Sequence, residues 1–568
     1  MIGVELGVID WTVLAIYLVG IAAAGIIAGL KVKDTETYFL GKRRFSKWLM
    51  IGQSFAIGTH AEMPVSLAGA VYTVGVSGIW YQWKNLFVTP FYWLIAPLFR
   101  RMRRTTTAEA VEDRYGSWMG AIYTIFALTF FTINAAGMLK GAGKVISQAA
   151  GGRIPVNEIV VAMTAVFILY SFIGGVVATA WTDLLQGFLI ITLSFMLIPL
   201  GWDAVGGMDG MRSSLEPFRF SLTTPRGIGL WFILMLTLNG LVGITAQPHL
   251  MAAVGTGKDE NACRIGFMYG NFTKRFCTVG WAMVGLMVAA MVARGAFGVR
   301  SLADPEDAFG FACRNVLFPG GVGLLIASVL AANMAGCSAF MVDSGALFTR
   351  NVYRKYLQKN ANDRHYLMIG RVSGLAITLL AVLYATFLIK RVLYSFLLTE
   401  TMATFVGISI VGGILWTRAN RWGALASLLT AFAVNFSLYH LRQERLDSWD
   451  PNVFLASLAA GSLALVVVSL LTPPEPEAAL RAFYARLQTP AAESGDVVDQ
   501  PKTGVLNAPT SDTAKFGRQL IIPNLFHLRR GCAGYGFFHA YRNDCRGFAF
   551  GWLVTVLLVA FAWFIFRS

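Results

Sequence analysis

Apolar stretches of about twenty residues recur from one end of this chain to the other, and that repetition decides which solvent it folds in. About 20 helical residues cross the roughly 30 Å of bilayer hydrocarbon. The stretches fall near 10–30, 48–72, 78–99, 118–146, 157–174, 177–200, 229–251, 276–295, 320–348, 368–388, 393–416, 420–439, 453–472 and 548–566, about fourteen in all. Lipid offers no hydrogen bonds, so each segment must satisfy its own backbone, and the expected class is an all-α membrane protein. Of the 568 residues, 56% are hydrophobic and 14% charged, against roughly 25% charged in soluble domains. That composition excludes a soluble enzyme. In a soluble chain the net charge of +16 would point to nucleic acid. Here the basic residues lie between apolar stretches, and the positive-inside rule accounts for them without a nucleic-acid partner.

Charge also orients the chain. Basic clusters follow the first stretch (Lys31, Lys33, Lys42, Arg43, Arg44, Lys47), the third (Arg100, Arg101, Arg103, Arg104, Arg114), the seventh (Lys258, Arg264, Lys274, Arg275) and the ninth (Arg350, Arg354, Lys355, Lys359, Arg364, Arg371). With this count they share one side, which is expected to be cytosolic, with the N-terminus outside. A bacterial inner membrane is the expected location. The first stretch has no cleavage site and is expected to remain as a span. Residues 1–472 read as a transmembrane core, 473–547 as a flexible cytosolic linker with a basic tail, and 548–568 as a last span. His527, Cys532, His539 and Cys545 in the tail match no zinc spacing.

Two stretches carry helix breakers. The second holds Gly58-Thr59-His60-Ala61-Glu62-Met63-Pro64 and the seventh holds Thr245-Ala246-Gln247-Pro248-His249. Proline removes a backbone donor and disfavours helix in the residue before it. A broken span survives in lipid only where protein or a wet cavity satisfies the freed groups. Two breaks about five helices apart predict two five-helix inverted repeats with a solute at the midplane. Ionisable residues inside spans mark functional sites by default. Here they are His60, Glu62, Lys84, Lys140, Lys144, Asp183, Asp343 and Glu400. Lys84 reads as reaching the outer surface, and Asp183 as capping neighbouring hydroxyls.

These residues carry a family likeness. Tyr38-Phe39-Leu40-Gly41-Lys42-Arg43, the run Gly174-Gly175 through Asp183 to Gly187, Phe348 to Arg354, and Trp416 to Ala424 resemble the sodium:solute symporter family, from about Trp11 to Leu471. The resemblance implies that fold and a sodium ion between the second and ninth stretches. By position the carbonyls of Ala56, Thr59 and Ala332 would hold it, supported by Asp183. The family's adjacent hydroxyls fall on Ala335 and Gly336, which have none, and a hard cation needs oxygen ligands. Three possibilities stay open: Thr59 and Ser338 rebuild the site; a proton on Asp343, Glu62 or His60 replaces sodium; or transport is uncoupled. Sugar-binding positions of relatives fall on Met63, Gln82 and Ala246, of which only Gln82 can bond a hydroxyl. With Lys84 and Gln247 nearby, the expectation is a carboxylate-bearing solute such as an amino acid or short organic acid, walled by Trp80, Tyr81, Trp83 and Phe87.

The expected function is therefore cation-coupled symport with no cofactor. Its partners are the bilayer, the solute and a sodium ion or proton. The alternatives are an uncoupled facilitator and a membrane sensor using the same fold. No catalytic motif supports an enzyme.

Overall fold

The computed structural model describes residues 7–30, 32–389, 391–444, 449–491, 520–525 and 537–567. Those residues form helices joined by short turns: α1 Val8–Gly29, α2 Thr35–Leu40, α3 Lys47–Ile57, α4 Glu62–Val74, α5 Trp80–Trp83, α6 Thr89–Met102, α7 Thr107–Tyr115, α8 Ser117–Ala149, α9 Val156–Phe195, α10 Leu197–Val205, α11 Gly207–Ser214, α12 Leu230–Gly243, α13 Pro248–Gly255, α14 Glu260–Ala293, α15 Ala308–Val316, α16 Gly321–Phe348, α17 Asp363–Phe387, α18 Val392–Leu415, α19 Arg421–Leu441, α20 Pro451–Leu471 and α21 Glu477–Gln488, then a C-terminal helix Arg542–Arg567. Ten are long and apolar enough to cross a membrane, or eleven if the bent pair α12–α13 is one span. The chain is an integral membrane protein. The other three expected stretches are present as shorter pieces: α3 with α4, α5 with α6, and the first part of α9.

Both expected breaks are observed. Helix α3 ends at Ile57 and α4 starts at Glu62. Helix α12 ends at Gly243, a tight turn runs through Ala246, and α13 leaves at 60° with Pro248 as its first residue. The stretch 78–99, expected to be continuous, is interrupted by a turn at Lys84–Val88. Helix α14 corrects the expected 276–295: it begins at Glu260, so Arg264, Lys274 and Arg275 lie inside a helix and are buried. Described parts of the tail are helical. Helix α21 buries Phe483 and Leu487, its Arg486 pairs with Asp113 at 2.5 Å, and Glu475 just before it bonds Arg421. The C-terminal helix starts at Arg542 rather than 548, and its Asp544 pairs with Arg264 at 2.6 Å. His527, Arg529, Arg530 and Cys532 lie outside the described residues.

Helix α16 sits at the centre, buried on every side. Its sequence is small or apolar all round, the pattern of a helix without a solvent face. Small residues let neighbours approach closely: a Cβ on Gly345 would lie 2.3 Å from the Gly370 carbonyl of α17. Helix α9 turns at Gly175, with φ +52° and ψ −150°, a region essentially restricted to glycine. A Cβ there would also lie 2.5 Å from the Tyr38 ring and carbonyl. Gly175→Ala is therefore expected to cost at least about 2 kcal/mol, strain and overpacking acting together. Thermal unfolding in detergent checks this, and an unchanged midpoint would refute it.

Candidate functional site

The two breaks face one another across a polar cavity of about 60 Å³. From α3 and the first break come Ser54, Ile57 and Gly58; from the second break come Gln247 and His249. Asn85 and Tyr92 close a third side, and α14 supplies Asn271, Lys274 and Arg275. Several polar atoms here have no hydrogen-bond partner, among them Asn85 Oδ1, His249 Nδ1 and Arg275 Nε. Buried polar atoms are normally satisfied, so this lining is suited to a polar guest.

Lys84 does not reach the surface. It is 1% exposed and its ammonium bonds Glu400 at 2.7 Å and the Asn239 side chain at 3.2 Å. The second oxygen of Glu400 accepts from the Gln247 amide at 2.7 Å. Asn239 in turn donates to Thr404 at 3.1 Å. Lys84 is thus paired with a carboxylate of α18, and Gln247 donates an amide hydrogen to the same carboxylate while lining the cavity. Gln82 and Ala246 take part through their carbonyls, which accept from Arg275 at 3.1 Å and from the Tyr123 hydroxyl at 2.6 Å. Met63 is buried, and its carbonyl accepts from Ser66. Trp80, Tyr81, Trp83 and Phe87 do not line the cavity. Trp83 is buried with its indole on the Arg275 carbonyl at 3.0 Å, and Trp80 stacks on Phe87.

Lys274 is the group that the sequence reading misplaced. Its side chain reaches the cavity, and among the described residues no hydrogen bond or ion pair holds its ammonium. The nearest charges are Arg275 and Lys84 of like sign and Glu62 and Glu400 of opposite sign. Glu400 is already paired, and Glu62 gives one oxygen to His60. The cavity therefore has cationic hydrogen-bond donors to spare.

The expected sodium ligands lie on two elements. Ala56 and Thr59 flank the first break, and Ala332 lies buried on α16. The Thr59 hydroxyl is buried without a partner. The Ser338 hydroxyl donates to the Ala335 carbonyl at 3.0 Å within its own helix, which leaves its oxygen lone pairs free. Asp183 caps no hydroxyl; both its oxygens are buried and unpartnered. Asp343 is buried about two turns beyond Gly336 on α16. Beside Gly336 lies the ring of His60, and a Cβ on that glycine would sit 2.5 Å from His60 Cδ2. The two adjacent hydroxyls expected of a sodium site are absent at Ala335 and Gly336. Among the described residues there is no cluster of three His, Cys, Asp or Glu side chains that could hold a metal.

Known proteins share this architecture. The osmoregulated proline transporter OpuE of Bacillus subtilis is 26% identical over 491 residues, covering 83% of this chain and 96% of its own length. The sodium/proline symporter of Escherichia coli is 25% identical over 504 residues, covering 83% and 94%. The sodium/glucose cotransporter of Vibrio parahaemolyticus is 22% identical over 472 residues, covering 76% and 85%. Among solved structures, a Na+-coupled sialic acid symporter in a substrate-bound outward-open state superposes with a TM-score of 0.69 at 16% identity, over 83% of this chain and 99% of its own. The pattern of the sodium:solute symporter family matches residues 38–431. Two broken helices around one polar cavity, and that match over most of the transmembrane bundle, make this chain a member of the sodium:solute symporter family.

Proposed function

We propose that this protein is a secondary transporter that carries a small carboxylate-bearing solute, driven by a cation gradient. The observation that carries the substrate class is Lys274: a buried ammonium with no partner, beside Arg275, in the cavity where the two breaks meet. A buried unpaired charge is costly, and a solute carboxylate supplies the missing partner. The proline transporters among the relatives support an amino acid. Membership of the family supports sodium as the driving ion. The arrangement supports inverted repeats opening at α3–α4 and α12–α13, within a core that extends to about residue 472. The basic clusters around Lys42, Arg100, Arg350 and Arg421 support a cytosolic location for that face, in a bacterial inner membrane with the N-terminus outside. The absent hydroxyls at Ala335 and Gly336 favour one second reading, an uncoupled facilitator or a sensor.

The test is uptake into proteoliposomes of labelled amino acids, short organic acids and sugars, under a sodium gradient, a proton gradient or none. The expected result is concentrative uptake of one carboxylate-bearing solute and of no sugar. Concentrative uptake of a sugar would overturn the substrate class. Binding or equilibration without accumulation under either gradient would replace symport with the second reading.

A further inference from the structure

We infer that the imidazole of His60 occupies the place where relatives of this fold would be expected to hold a cation at the first break, and that this chain binds no sodium there. The inference concerns the coupling of the transporter proposed above, but it stands on binding geometry and not on solute identity.

Space is the first argument. Helix α16 passes the first break at Gly336, and the His60 ring lies against it. A Cβ built on Gly336 would be 2.5 Å from His60 Cδ2 and 3.0 Å from Nε2. The first distance is below any real carbon contact, so a side chain at 336 would force this ring out of its present position. The two residues are complementary: the ring of His60 as placed here needs the bare backbone at 336.

Anchoring is the second argument. His60 Nδ1 lies 2.8 Å from Glu62 Oε1, and Nε2 donates to the Ile57 carbonyl. Phe340 of α16 packs edge-on against the ring at 6.1 Å between centroids. A carbonyl freed where a helix breaks must find a donor or a cation inside the membrane. Here the ring satisfies the Ile57 carbonyl and also touches α16. One side chain ties the broken helix to its neighbour, which is the task a bound ion would perform.

The third argument is the shortage of oxygen. Ala335 and Gly336 supply none, and Ser338, whose hydroxyl donates to its own helix but keeps its lone pairs, lies about 200° round the helix from Gly336. Thr59 Oγ1, Glu62 Oε2, Asn333 Oδ1 and the Asp183 carboxylate stay unpartnered. With Ser338 they are the side-chain oxygens from which a rival sodium site would be built, so the experiment must count ions.

The experiment uses purified full-length protein and radioactive sodium alone, with no solute. Wild type is compared with a variant carrying His60→Ser, Ala335→Ser and Gly336→Ser. The variant is expected to bind one more sodium ion per chain than wild type. Equal stoichiometry in the two would overturn the inference. A thermal-stability cycle decides if that variant does not fold: Gly336→Ser alone should lower the unfolding midpoint, and His60→Ser should cost clearly less in that background than in wild type. Independent, additive shifts would show that ring and glycine are not coupled and would sink the proposal. Neither readout needs uptake, so a failure of the transport reading leaves this result interpretable, and the reverse.

Discussion

Glu400→Ala is expected to destabilise the folded protein by about 3–5 kcal/mol, the cost of leaving one member of a buried ion pair without its partner. The orphan would be Lys84, 1% exposed and 2.7 Å from the lost carboxylate. Nearby it would keep Asn239, a neutral acceptor at 3.2 Å, and the face of the Phe396 ring at 5.0 Å. The damage spreads beyond the pair, because Glu400 also takes the Gln247 amide at 2.7 Å. That bond ties α18 to the residue on which the second break turns. Buried pairs are weak evidence for stability, since removing both charges together is often neutral. The double variant Lys84→Met with Glu400→Leu should therefore recover most of the loss, less what Gln247 forfeits. Thermal and denaturant unfolding in detergent of wild type, Lys84→Met, Glu400→Leu and the double variant gives the coupling directly. A double variant no more stable than the worse single one would show that Lys84 and Glu400 act separately, and the assignment of Lys84 as a structural residue would fall.

The partial legibility of this site follows from the range of the forces involved. Both breaks could be read because proline and glycine act on their own backbone: Pro64 and Pro248 sit within one turn of the places where the helices part. The turn at Lys84–Val88 was hidden, since Leu86-Phe87-Val88 is as apolar as any span and the signal is only Pro90 in the first turn of the next helix. Glu400 could be flagged as a charge in lipid, but its partner lies 316 residues away and nothing local names it. Lys274 and Arg275 failed for a subtler reason. Two adjacent cations just before an apolar run look like a positive-inside flank, and hydropathy begins the span after them. Only tertiary structure shows Arg275 held by the Gln82 carbonyl and Lys274 facing a cavity. His60 could be flagged as an ionisable residue in a broken span, but its contact with α16 could not, because that depends on an absent side chain at Gly336.

Lys274→Met should separate function from stability. Methionine keeps the length and the helix-forming tendency of lysine but removes the charge. A fully desolvated charge pair loses about 2–5 kcal/mol when one partner is removed, and each 1.4 kcal/mol is tenfold in affinity. Affinity for the carboxylate-bearing solute should thus fall by about 30-fold to a few thousand-fold. Arg275 cannot compensate fully, because its guanidinium already donates to Gln82 at 3.1 Å. Without solute, the same substitution removes an unpaired ammonium from the membrane interior, where a charge is costly. The variant should therefore unfold at a higher temperature than wild type while transporting poorly, the trade-off expected when a strained group is kept for function. Lys274→Arg should retain part of the affinity, since it restores a cation but must fit a larger head into about 60 Å³. Solute binding by calorimetry and unfolding midpoints on the same preparations check both halves. Loss of binding together with loss of stability would mark Lys274 as a structural residue, and undiminished binding by the methionine variant would remove it from the site.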